Sequence, residues 1–232
     1  MKRVLAITAC ALALPGIAVA ATRPYDTGAF EAVSVATGVN VDITVGSIRS
    51  VVAETTWGSF DDLRISVENG VLHIDRAPRS WLSTLFSGRR HYQVHVVTPA
   101  LHSLAASSGS DVKVKGNLQG DFTITASSGS DVGVSEIRGG NVRATTSSGS
   151  DIDIAGSCLS LEINASSGSD LDAEELQCES VTLQISSGSD VSVTATKRVT
   201  GKASSGSDVT VHGRPAIVQV EKSSGADVAV RN

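Results

Sequence analysis

The sequence predicts an all-β fold: a single-stranded, right-handed parallel β-helix, or solenoid, with coils of about 18–20 residues. Three observations carry this reading. The string Ser-Ser-Gly-Ser-Asp, or a one-residue variant of it, occurs seven times, with aspartates at Asp111, Asp131, Asp151, Asp170, Asp190, Asp208 and Asp227. Successive copies lie 20, 20, 19, 20, 18 and 19 residues apart, a fixed period of the kind that marks stacked repeats. Apolar and polar residues alternate on both sides of each copy, and aromatic residues make up only 3% of the chain, which suits many short strands with small side chains.

The repeat explains itself element by element. The residue after each aspartate is apolar (Val112, Val132, Ile152, Leu171, Val191, Val209, Val228). Two residues further on stand Val114, Val134, Ile154, Ala173, Val193, Val211 and Val230. Before the corner the same alternation gives Phe122, Ile124, Ala126, then Val142, Ala144, Thr146, and later Leu161, Ile163, Ala165 and Val181, Leu183, Ile185. Each repeat therefore has one strand before the Ser-Gly-Ser-Asp corner, one strand after it, and a looser Gly- or Asn-containing link to the next. One such unit cannot bury its own apolar side; stacking the units does. The glycine supplies a backbone conformation closed to most residues, and serine and aspartate side chains can bond backbone groups at the corner.

The chain begins with a short cationic start, "MKR", an apolar run to Ala20 and a small-x-small "AVA", which together predict a signal peptide over residues 1–20. Cys10 follows "ITA", but the apolar run continues past it, which favours cleavage after Ala20 over lipid attachment at the cysteine. Residues 21–29 read as a linker, 30–100 as N-terminal coils of the same rod, and 101–232 as the Ser-Ser-Gly-Ser-Asp repeats. Within the first of these, Phe30–Gly46 alternates on either side of Gly38-Val39-Asn40, and Asn69-Gly70 is a hairpin turn signal between two strands. The mature chain has no segment long enough to span a bilayer, and the formal net charge of −5 excludes nucleic acid as a main partner. The expected location is the periplasm, the cell surface or the medium.

In this order of features, the chain resembles the head-GIN domain family of autotransporter-type adhesins. Gly38-Val39-Asn40 stands where that family has Gly-Ile-Asn, and "TPALHSLAASSGSD" (Thr98–Asp111) is similar to its Pro-x-Leu entry into Ser/Gly-rich coils. The resemblance runs from about Phe30 to the C-terminus. It implies a β-helix similar to pectate lyases but without a recognised catalytic set, and a role in cell-surface adhesion. The sequence closes on "ADVAVRN" with no barrel-type segments, so an adhesin of this form would need a separate anchor.

The candidate site residues are the seven corner aspartates, as structural elements and as ligand contacts. Seven carboxylates at strand spacing repel one another unless solvated, hydrogen-bonded or bridged. Calcium bridging is the alternative to capping in water, but calcium requires six or more oxygens, and no dedicated metal or other cofactor site is expected. Cys158 and Cys178 lie 12 residues before Asp170 and Asp190 and so occupy equivalent slots in adjacent coils. They are either a disulfide staple or two small buried thiols. Trp81, Leu82, Leu85 and Phe86, followed by Arg89 and Arg90, interrupt the alternation and form a possible interface: a cap for the solenoid, a contact with a second copy, or a membrane-surface segment.

The outward positions Lys113, Lys115, Thr123, Thr125, Arg143, Asp153, Glu162, Asn164, Asp172, Thr182 and Gln184 read as scattered charges without a convergent catalytic set. His91 and His95 share a strand face but lie about 13 Å apart at strand rise, too far to share a metal. The functional expectation is an exported, non-catalytic envelope structural or adhesion module that contacts a glycan, envelope component or protein at many points, with homo-oligomerisation possible. The rival is a carbohydrate-active β-helix enzyme, either a polysaccharide lyase or a hydrolase.

Overall fold

The structure is a computed structural model and describes residues 21–56, 59–77 and 91–231. The expected signal peptide and the Trp81–Phe86 segment lie outside the described residues. The described chain contains 19 strands in one continuous hydrogen-bonded sheet that winds into a β-solenoid.

Each repeat contributes three sides. The side before the corner is built from β8 (Ser103–Ser107), β11 (Phe122–Ser127), β13 (Asn141–Ser147), the later halves of β14 (Asp151–Ser166), β15 (Asp170–Ile185) and β16 (Asp190–Ala203), and finally β18 (Ile217–Lys222). The side after it is built from β9 (Asp111–Lys115), β12 (Asp131–Arg138), the beginnings of β14, β15 and β16, then β17 (Asp208–Gly213) and β19 (Asp227–Arg231). All of these neighbours pair in parallel and in register. Ile124 lies on Ala144 and Ile163 on Leu183, while Val132, Ile152, Leu171, Val191, Val209 and Val228 form one continuous row. A one-residue slip would turn every apolar side chain outward, so the buried rows fix the register.

The link expected to be loose is a third ladder. β10 (Leu118–Gln119) pairs with Ile137–Arg138, which pairs with Gly156–Ser157, which pairs with Leu176–Gln177. Leu118, Ile137 and Leu176 are buried there. Register shifts at Asp153/Gly156 and Ala173/Gln177 mark where the strands bend into this side. Three apolar sides therefore close on one core, and each fully buried Leu, Ile or Val adds about 1.5–3 kcal/mol of transfer free energy.

The N-terminal part belongs to the same stack, but chain order and spatial order part company. β2 (Ala32–Val35) and β3 (Asn40–Val45) form a coil that lies on β8 and β9. Its other side is covered by β6 (Val71–Arg76) and β7 (Tyr92–Thr98), which come later in the sequence. Antiparallel strands then finish the end. β5 (Leu63–Glu68) makes the expected hairpin with β6 through Asn69 and Gly70, both at positive φ (51° and 78°). β4 (Ser50–Thr55) lies against β7, and β1 (Ala21–Tyr25), within the stretch read as linker, lies against β4. At this end the Arg76 guanidinium meets the Asp62 carboxylate at 2.9 Å, and the Tyr92 hydroxyl donates to the same carboxylate.

Candidate functional site

The recurring corner is a two-residue left-handed turn. The second serine and the glycine of each copy have positive φ, from Ser108 (59°) and Gly109 (70°) to Ser224 (52°) and Gly225 (81°). At Gly109 a Cβ would meet nothing within 4 Å, so φ and not space selects glycine there. The ladder runs unbroken through the turn: Gly109 N–H donates to Ser128 O at 3.1 Å, Gly129 N–H to Ser148 O at 3.1 Å and Gly149 N–H to Ser167 O at 3.2 Å. Every coil must therefore bend in one way at one place, which is why the string recurs. Thr37 (φ 63°) and Gly38 (φ 68°) adopt the same turn, and Gly38 faces the Gly109 carbonyl. Gly38-Val39-Asn40 is thus an eighth corner of the series.

The residues of the corner divide the work. The third serine points inward: Ser110, Ser130, Ser150, Ser169, Ser189 and Ser207 are fully buried. The Ser150 and Ser169 hydroxyls donate across the turn to Ser147 O and Ser166 O, each at 2.9 Å, and Ser130 Oγ lies 3.0 Å from Ser127 O. Ser150 Oγ also accepts from Ser130 N–H of the coil beside it at 3.3 Å. In these three corners the inward serine bridges the turn, a role for which the sequence offered no more than the alternation of the flanking strands.

The aspartates point outward. Asp111, Asp131, Asp151, Asp170, Asp190, Asp208 and Asp227 stand in register in one exposed column. Partial desolvation and then the neighbouring Asp170 and Asp131 carboxylates push the Asp151 carboxyl above its ordinary range, while a hydrogen bond from the Asp170 backbone opposes this. A second outward row carries Lys113, Gly133, Asp153 and Asp172. Asp153 is raised as well, by desolvation and then by Asp172, Asp151 and Asp131.

This second row borders an open groove of about 720 Å³ between the second and third sides. Lys113 and Lys115 line it at one end of the row and Asp153, Asp172, Glu174 and Glu175 toward the other, with Gly133 leaving a gap in the row between Lys113 and Asp153. The fold thus gathers charges that the sequence reading left scattered, and adds Glu174 and Glu175 to them. The strand alternation breaks between these two exposed glutamates, because the chain bends there into the third side.

Cys158 and Cys178 are joined in a disulfide across in-register strands, with Cα atoms 4.5 Å apart, which settles the bridge over the free thiols. On the first side, Arg143 and Glu162 form an exposed ion pair at 2.8 Å. His95 lies between Asp42 (3.6 Å) and Glu54 (3.8 Å) on the outer surface of β7. Among the described residues no group of three or more His, Cys, Asp or Glu side chains is arranged to hold a metal ion, and no helix is long and apolar enough to cross a membrane.

A parallel β-solenoid with one repeated Ser-Gly-Ser-Asp edge and a polar exterior defines the class: a rod that presents regular rows of side chains. The chain belongs to the family described as "Putative auto-transporter adhesin, head GIN domain", whose model matches residues 29–215. Solved structures share the fold. A "putative adhesin" from Bacteroides fragilis has a TM-score of 0.79 at 13% identity, over 91% of this chain and 97% of that one. A "putative lipid binding protein" from Parabacteroides distasonis has a TM-score of 0.68 at 14% identity, over 92% and 97%. A "putative adhesin" from Parabacteroides merdae has a TM-score of 0.67 at 15% identity, over 92% and 96%. No curated protein matches the chain.

Proposed function

We propose that the protein is an exported, non-catalytic binding module of the cell envelope. It holds a polyhydroxylated or otherwise polar partner, a glycan or an envelope component, by many weak contacts at fixed spacing. The observation that carries this reading is the in-register aspartate column, flanked at each corner by exposed serine and glycine. Parallel pairing sets its repeat at about 4.8 Å. Contacts at such spacing engage a repetitive ligand together, so weak single contacts add up to useful avidity. Membership of the adhesin-head family supports the role. The Cys158–Cys178 bridge supports export, because such bridges persist in oxidising compartments.

The groove favours a second reading. A carboxyl held above its usual range beside Asp172, in a groove that Lys113 also lines, is the kind of group that works as a general acid. On that reading the protein cleaves an acidic or neutral polysaccharide.

The test is a screen of the purified protein against envelope polysaccharides and immobilised glycans, with and without calcium, alongside assays for new reducing ends and for unsaturated products. Retention on a polymer that weakens as successive corner aspartates are changed to asparagine, with no product formed, is the expected result. Product formation that is lost in Asp153→Asn would replace the binding reading with the enzymatic one.

A further inference from the structure

The two ends of the solenoid are finished differently. The N-terminal end is closed by antiparallel β1, β4 and β5 and by the Arg76–Asp62–Tyr92 cluster. The C-terminal coil, β18 and β19, has no strand beyond it among the described residues. Its inward side chains are left uncovered: Val218 is 36% and Val230 51% exposed, whereas Val199 and Val211 directly beneath them are 0%. The corner of this coil also differs. Ala226 stands where six coils bury a serine, so the hydroxyl is missing at the one corner that faces outward along the rod.

The two edge strands are not equivalent. β18 carries Lys222 in the inward row where Ala203, Ile185 and Ala165 stand in the coils beneath. An inward charge on an edge strand protects it from pairing, and this one turns to Asp227 at 3.4 Å. β19 has no such guard. It reads Asp-Val-Ala-Val-Arg, with Val228 and Val230 in the inward rows and Asp227, Ala229 and Arg231 in the outward ones. Opposite charges stand at equal distances on either side of Ala229.

We propose that β19 is a self-docking edge, and that two copies of the chain join tail to tail by antiparallel pairing of their β19 strands about a two-fold axis at Ala229. In that register Asp227 of each copy meets Arg231 of the other, and Val228 meets Val230, so that both charge and apolar pattern are self-complementary. In-register parallel pairing would oppose like charges. The join carries the sheet across the interface, covers Val218 and Val230, and ends each aspartate column on the other copy's arginine.

Sedimentation of the purified protein over a range of concentrations tests this. The wild type should form a dimer and nothing larger. Arg231→Asp should raise the dissociation constant roughly tenfold or more, and Asp227→Arg with Arg231→Asp should restore it. Ala229→Cys should form a disulfide-linked dimer on mild oxidation, whereas Thr210→Cys, one coil inward, should not. Circular dichroism of each variant confirms that the fold is retained. A wild type that stays monomeric at every concentration would overturn the proposal. So would an association unmoved by the charge variants, a ladder of species beyond the dimer, or equal cross-linking at 210 and 229.

Discussion

Replacing the inward corner serines by alanine, one at a time, should give opposite signs at positions that look identical in sequence. Ser150 Oγ donates to Ser147 O at 2.9 Å and accepts from Ser130 N–H at 3.3 Å, both inside the core. Removing it deletes one bond and strips the Ser130 N–H of a buried acceptor. An unsatisfied buried group costs about 1–3 kcal/mol, so Ser150→Ala should destabilise by about 1.5–2 kcal/mol. Ser110 and Ser207 occupy the same slot and are equally buried, yet their Oγ atoms have no hydrogen-bond partner among the described residues. A hydroxyl desolvated without a partner costs roughly 1–3 kcal/mol, so Ser207→Ala should be neutral or stabilise by up to about 1 kcal/mol. The chain already makes this exchange at both ends of the row, with Val39 and Ala226 in the serine slot. Urea unfolding followed by circular dichroism reads the differences as midpoint shifts at constant slope. Equal losses at positions 110, 150 and 207 would refute the reasoning, because they would mean that the serines matter for turn propensity and not for the bonds they make.

Four further outcomes rest on the same geometry. Replacing both Cys158 and Cys178 by alanine opens a loop of sequence separation 20 and should cost about 3 kcal/mol by chain entropy, read as a lowered urea midpoint; an unchanged midpoint would show that neighbouring coils already hold this loop. Asp151→Asn removes two in-register like-charge neighbours, each worth at most about 0.8 kcal/mol at 5 Å in water, so it should stabilise by up to about 1 kcal/mol at low salt and by almost nothing near 0.5 M; a salt-independent loss would mean that the hydrogen bond from the Asp170 backbone outweighs the repulsion. Because the Asp151 and Asp153 carboxyls titrate above their ordinary value, the folded chain binds more protons than the unfolded one between the two values, and their contribution to stability should fall as pH rises through that window. Gly201→Ala should be severe, at about 4 kcal/mol or more, since its Cβ would lie 1.9 Å from Leu183 O at φ +145°; a variant that melts within a few degrees of the wild type would show that the coil can open there.

Much of the candidate site was legible in the sequence. The aspartate column and the adjacent slots of Cys158 and Cys178 follow from counting residues against a constant period, because in a stack equal phase means adjacency. The groove was not legible. Lys113 and Asp153 belong to repeats separated by Gly133, and Glu174 and Glu175 sit at a bend where the two-residue alternation fails, so no local pattern places them together. The inward turn of the third serine was hidden as well: both serines and the aspartate are polar, and only the left-handed Ser-Gly pair decides which one faces the core.

The sequence by itself determined the class of fold, the position of the corner, the register of the repeated strands and the adjacent slots of Cys158 and Cys178, because all of these depend on periodicity over neighbouring copies. Only the tertiary structure decided the rest: that the two cysteines are bonded, that β6 and β7 close over β2 and β3 ahead of them in the chain, that the links form a third buried side, and that among the described residues one end is covered by antiparallel strands while the last coil has no strand over it. The last three features depend on which apolar surfaces remain to be covered once the coils have stacked, and that is a property of the whole rod, invisible in any single repeat.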